Sequence, residues 1–117
     1  MANVQTTVRD PQDLERLLVE RQRKGDVEGM VALFEPDAVI DTGEGAPTVG
    51  HVAIRAVFAA SIAEGRMFAR GEQRPALVTG DLAMTSTRLP DGTVTTEVAR
   101  RQSDGGWLWA IDRYSVT

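Results

Sequence analysis

The stretch from Gly25 to Phe58, GDVEGMVALFEPDAVIDTGEGAPTVGHVAIRAVF, decides how this chain is read. Asp26 after Gly25 is a helix start, and Val27, Met30, Val31 and Phe34 recur on one helical face. Pro36 stops that short helix. Ala38 to Thr42 reads as a strand, Gly43 to Gly50 as a Gly/Pro loop, and His51 to Ala63 as a helix with Ile54, Val57, Phe58 and Ile62 inward. Upstream, Asp10-Pro11 is a helix start, followed by a Leu14, Leu17, Leu18 stripe that Gly25 ends.

Downstream of Gly65 the period changes from helix to strand. Pro75–Thr79 and Leu82–Leu89 flank Gly80-Asp81, Pro90-Asp91-Gly92 is a turn, Thr93–Gln102 is a long strand, and Trp107–Val116 follows Asp104-Gly105-Gly106. Met67 and Phe68 are read as part of a further strand before Pro75. Three helices followed by an antiparallel meander is an α+β plan. The 117 residues suit a single domain over 1–117 with one core.

Composition narrows the function classes. A net charge of −4 and only short basic runs, Arg21–Lys24 and Arg100–Arg101, argue against nucleic acid as a partner. No apolar run approaches the ~20 residues of a membrane span, and no leader is expected at the N-terminus. The chain has no cysteine, so disulfides and thiolate chemistry are excluded and a cytoplasmic location is the expectation. His51 is the single histidine, which argues against a zinc site or a Ser–His–Asp triad. GEGAPTVG lacks the spacing of a phosphate-binding loop and reads as a turn.

The segments GDVEGMVALFEPDAVI and GHVAIR, with the ending GGWLWAIDRYS, resemble the nuclear transport factor 2-like superfamily, nearest to its SnoaL-like polyketide cyclases and ketosteroid isomerases. The resemblance covers almost the whole chain. It implies a cystatin-like α+β roll, with N-terminal helices on a curved, mostly antiparallel sheet around a conical apolar cavity, commonly as a homodimer. It implies no single activity, because the fold hosts isomerases, cyclases, epoxide hydrolases, dehydratases and association domains. Aligned on the ketosteroid isomerases, Leu18 takes the place of their Tyr, Thr42 the place of their base, and Val98 the place of their protonated Asp. Steroid-type isomerisation is therefore not expected.

Two arrangements of the site are open. In the first, Asp41 is a general base at the cavity and Arg113 its electrostatic partner, both facing inward without touching, with Trp109, Ile111, Phe58 and Met84 as walls. Strict alternation along the last strand then puts Leu108, Ala110, Asp112 and Tyr114 outside, where Leu108, Ala110 and Tyr114 would form a homodimer face. In the second, the faces are reversed, and Asp112 with Tyr114 becomes the acid–base and donor pair. On the preceding strand the Val94, Val98 face is read as inner, opposite Glu97 and Arg101. The expected function is a SnoaL-like protein that binds a small apolar organic molecule and performs cofactor-independent isomerisation, cyclisation or hydration. The rival is a non-catalytic dimeric module.

Overall fold

The computed structural model describes residues 7–117. Helix α1 (Asp13–Arg23) and helix α2 (Val27–Val31) lead into strand β1 (Phe34–Asp41), the short β2 (Thr48–Val49) and helix α3 (His51–Ala63). Then come β3 (Glu72–Gln73), β4 (Leu77–Thr79), β5 (Leu82–Arg88), β6 (Val94–Arg101) and β7 (Trp107–Arg113). The sheet runs β2-β1-β7-β6-β5-β3, with β4 pairing the opposite end of β5. Its pairs are antiparallel except β1 with β7, so N-terminal helices pack on a mixed sheet. No helix among the described residues is long and apolar enough to cross a membrane.

Local chemistry places the boundaries. The Asp10 side chain accepts from the Gln12 amide in a turn, and α1 begins three residues after Asp10. Gly25 at φ 69° takes the left-handed conformation that releases the chain from α1. The Asp26 carboxylate then caps α2 by accepting from the Gly29 amide at 2.9 Å. Phe34 belongs to β1 and not to α2, which ends at Val31. Pro36 is tolerated inside β1 because that strand arches away from β7 between the pairs Phe34–Trp109 and Val39–Ile111. A residue without an N–H loses no ladder bond there. His51 Nε2 bonds the Phe34 carbonyl at 2.8 Å, which fixes the start of the arch to α3. The strand expected around Met67 and Phe68 lies instead at Glu72–Gln73, against Thr87 and Arg88.

An aromatic chain forms the centre of the core. The Phe34 ring lies 5.6 Å from Phe58 and 5.3 Å from Trp109, both tilted, and joins α3 through β1 to β7. Leu14, Met30, Leu33, Ile40 and Ile54 close around it, all fully buried.

One irregularity controls which side chains face the helices. On β6, Val98 and Ala99 are consecutive, but their partners on β7 are Ile111 and Trp109. Ala110 is therefore an extra, bulged residue. Alternation restarts after it: Trp109, Asp112 and Tyr114 face inward, and Ile111 and Arg113 face outward.

Phe58→Ala should cost about 3–5 kcal/mol in urea unfolding, because it opens a cavity in the aromatic chain. Val52→Ala, at a position 82% exposed on the same helix, should stay within about 0.5 kcal/mol of the parent protein.

Candidate functional site

The inner face of the sheet presents ordered rows. The register places Ala83, Ala99 and Trp109 across β5, β6 and β7, and next to them Thr85, Glu97 and Asp112. Thr87 and Thr95 begin a further row, with Tyr114 on the same face beyond the end of β7. A floor that would ordinarily be apolar therefore carries two rows of polar groups. Above it lies an open recess of about 440 Å³. Its other walls are Glu15, Leu18 and Val19 of α1, the segment from Arg66 to Ala69, and the turn at Leu89, Pro90 and Asp91.

The segment over the recess is held by α1. The Gln22 amide donates to the Arg66 carbonyl at 2.5 Å and accepts from the Phe68 amide at 3.0 Å. Arg23 Nε donates to the Phe68 carbonyl at 3.0 Å. Gly71 lets the segment run tight against β5, since a Cβ there would lie 2.3 Å from the Arg88 carbonyl oxygen. The Glu15 carboxylate pairs with Arg70 at 3.1 Å.

The electrostatics of the floor are unusual. Glu97 and Asp112 are cross-strand partners, 5% and 4% exposed, so two carboxyl groups are buried side by side. Such neighbours have Cβ atoms about 4.5–5.5 Å apart. Burial pushes the Asp112 carboxyl well above its usual range, and repulsion from Glu97 adds to it. Burial raises Glu97 as well; hydrogen bonds from Thr85 and Thr95 oppose that rise, and Glu15 reinforces it. Glu97 Oε1 accepts from Thr85 Oγ1 at 2.6 Å, and Trp109 Nε1 donates to that same Thr85 oxygen at 3.3 Å. Among the described residues, Asp112 has no side-chain hydrogen bond, and Thr87 Oγ1 is buried without a partner. Tyr114 titrates above its ordinary value through burial and then the nearby Asp112 charge, so the phenol keeps its proton. The recess thus offers a pair of acids that burial makes hold their protons more tightly than free carboxyls do, a phenol donor and an apolar roof. Among the described residues, no three His, Asp or Glu side chains converge on a metal position.

The residues singled out from the sequence separate into three places. Trp109 is in the recess. Phe58 is buried in the core beside Phe34, away from the recess wall. Asp41, Arg113, Ile111 and Met84 are on the other side of the sheet. There Arg113 Nε donates to Asp41 Oδ2 at 3.1 Å, since the two residues are paired in register on β1 and β7. The expectation that they share the cavity without touching is not met, and the bulge at Ala110 is the reason: it turns Ile111 and Arg113 outward.

The same bulge corrects the placement of Asp112 and Tyr114, which line the recess together with Trp109. On β6 the inner residues are Thr95, Glu97 and Ala99, not the valines. Arg100 reaches Glu35 at 3.1 Å. Sequence reasoning missed Glu97, Thr85 and Thr87. The available signal was the alternation of Thr85, Thr87, Thr95 and Glu97 around one turn, masked by valines on the opposite face.

Comparison with known proteins agrees with this fold. The model of the SnoaL-like domain matches residues 15–117. A structure described as an association domain of the calcium/calmodulin-dependent protein kinase type II, from Thiobacillus denitrificans, is similar at 16% identity, over 92% of this chain and 95% of that one, with a TM-score of 0.74. A ketosteroid isomerase-like protein from Erwinia carotovora atroseptica is similar at 16% identity, over 91% of this chain and 93% of that one, with a TM-score of 0.69. A nuclear transport factor 2-like protein with a cystatin-like fold, from Novosphingobium aromaticivorans, reaches 22% identity and a TM-score of 0.64 over 86% of this chain and 75% of that one. At these identities the likeness shows the fold alone. No curated protein matches this chain.

The buried acids have a consequence for stability. Both hold protons more tightly folded than unfolded. The native state then binds more protons than the unfolded state as pH rises above about 4, and stability falls through that window until the folded pKa values are passed. Asp112→Asn keeps the shape of the neutral acid and removes its charge. It should match the parent near pH 4 and gain on it as pH rises, by up to about 1.4 kcal/mol per pH unit in urea unfolding. A pH-independent difference would show that burial does not hold the Asp112 proton.

Proposed function

This chain belongs to the SnoaL-like domain family, in the nuclear transport factor 2-like superfamily, and we propose that its recess binds a compact organic molecule and moves a proton on it without a cofactor. The observation that carries this reading is Asp112. It is a carboxyl group 4% exposed, on the floor of a 440 Å³ recess, with a second buried carboxyl on the adjacent strand. Among the described residues the Asp112 carboxyl has no hydrogen-bonding partner, and it lines the recess, so a ligand oxygen there can accept its proton.

The chemistry follows from the pair. One carboxyl delivers a proton to a substrate oxygen, and the neighbouring carboxylate takes one from a substrate carbon or from water. The pair ends with the same number of protons that it began with. Tyr114 supplies a second donor to the oxygen as it gains electron density. Isomerisation, dehydration and hydration all have this balance. Leu18, Val19, Met67 and Phe68 exclude water from the apolar part of the ligand. The fold uses no disulfide of the kind that marks an oxidising compartment, and by default we read the protein as cytoplasmic.

A partner is also part of the proposal. The outer sheet face exposes Leu77, Leu82, Met84 and Ile111, with the half-buried Val39 and Val98 between them and the Asp41–Arg113 pair at one edge. A contiguous apolar face of this kind is suited to a second copy of the chain, which can meet it about a twofold axis. The similar structure from Thiobacillus denitrificans is described as an association domain. Ile111→Glu should turn a dimer into a monomer in sedimentation at micromolar concentration; a parent protein that is itself monomeric there would refute the dimer.

For the recess, 2-naphthol is a suitable probe, because its neutral and ionised forms fluoresce at different wavelengths. The parent protein should bind it. Asp112→Ala should weaken binding about tenfold, the loss of one hydrogen bond to an ionisable group. Asp41→Ala should leave binding unchanged. An Asp41 variant that loses binding while the Asp112 variant retains it would return the site to the outer face.

A further inference from the structure

We infer that Thr85, aligned by the indole of Trp109, decides which of the two neighbouring acids carries the shared proton: Glu97 is the carboxylate and Asp112 the acid. The inference rests on the acid–base reading of the recess and assigns its direction.

An indole nitrogen donates and cannot accept. The Trp109 hydrogen must therefore enter a lone pair of Thr85 Oγ1, 3.3 Å away. The Thr85 hydroxyl has a single hydrogen of its own. Among the described residues, its other partner is Glu97 Oε1, at 2.6 Å. The indole occupies one of the two Thr85 lone pairs, and the bond to the carboxyl runs from Thr85 Oγ1 to Glu97 Oε1, so Oε1 is the acceptor. The separation lies in the range of hydrogen bonds from a hydroxyl to an ionised oxygen, about 2.5–2.7 Å.

Asp112 has no such donor. Both acids line the same recess and are similarly buried, so their exposure to it does not separate them. The donor chain is the difference between them. It favours the charged form of Glu97 by one charge-assisted bond, worth about one to two pH units of midpoint.

Thr95 adds a second hydroxyl on the Glu97 side and acts in the same direction as Thr85, whereas the ionisable groups that face the pair do not. Glu15 on α1 opposes ionisation of Glu97, although Arg70 offsets its charge. Tyr114 stands next to Asp112 and stays a neutral phenol. Arg66 lines the mouth beside Glu64. Asp91 is at the rim, held by the Thr93 amide.

Trp109 itself is fixed by the core, since its ring packs against Phe34. The direction of the relay is therefore set by packing and not by a mobile side chain. Thr85 is a positioning residue. It touches no substrate and acts through Glu97.

The test is a site-resolved carboxyl carbon NMR titration of the full chain, with Glu97→Gln and Asp112→Asn used to assign the two signals. In the parent protein, Glu97 should ionise at lower pH than Asp112. In Thr85→Val the Glu97 midpoint should rise by about one to two pH units. Thr85→Ser keeps the hydroxyl and should restore the parental order. A parent protein in which Asp112 ionises first overturns the inference, as does a Glu97 midpoint that Thr85→Val leaves in place. If Thr85→Val does not fold, the parental order and the serine variant still decide it. Failure of 2-naphthol to bind the parent would remove the acid–base reading while leaving the titration order intact. Binding with the wrong order would remove this inference alone.

Discussion

The contact between Trp109 and Phe34 is the one on which the rest of the structure depends. It is an edge-tilted aromatic contact at 5.3 Å, and it ties the last strand to the first across the parallel pair that a meander alone would not make. Phe58 extends the contact to α3. The same indole that fills the core turns its nitrogen toward Thr85 and thereby toward Glu97. One side chain thus joins packing to the polarity of the recess. Loosening it would disturb both.

The bulge at Ala110 gives the recess its chemistry. Without it, strict alternation from Trp109 would bury Ile111 and expose Asp112. With it, Asp112 and Tyr114 stand on the face that α1 and the segment from Arg66 to Ala69 cover. Two acids on adjacent strands in a buried floor oppose folding when both are charged. A protein retains such an arrangement at a site more readily than in a structural core, because active sites are where opposed burial and charge adjust proton affinity. The Thr85 and Trp109 hydrogen bonds then make two chemically similar carboxyls unequal.

The two faces of the sheet carry contrasting charge arrangements. Inside, among the described residues, no salt bridge reaches Glu97 or Asp112; the cations are Arg70, paired with Glu15 at the edge, and Arg66 at the mouth. Outside, Asp41 meets Arg113 and Glu35 meets Arg100, in ion pairs open to solvent. Exposed pairs of this kind contribute little to stability, at most about 1 kcal/mol each. They mark the border of an apolar surface more than they hold the fold.

The sequence by itself determined the α+β plan, the three helices, the order of the long strands and the turns between them. Each of these is written in local signals: Asp26 as a cap, Gly25 as a stop, Pro90-Asp91-Gly92 as a turn, and helical spacing of Ile54 and Phe58. It also named Trp109, and it held Asp112 with Tyr114 as the reversed-face alternative. It did not decide between the faces of β7, because the extra residue at Ala110 leaves no mark of its own in a run of apolar residues and is visible only as register against β6. Pro36 misled for a similar reason: it reads as a helix stop, while the arch of β1 over β7 makes it a strand residue. The pairing of Glu97 with Asp112, and the relay through Thr85, exist only across strands. A hydrogen-bonded register is a tertiary fact, and it was the register that moved the candidate site from Asp41 to the buried acids.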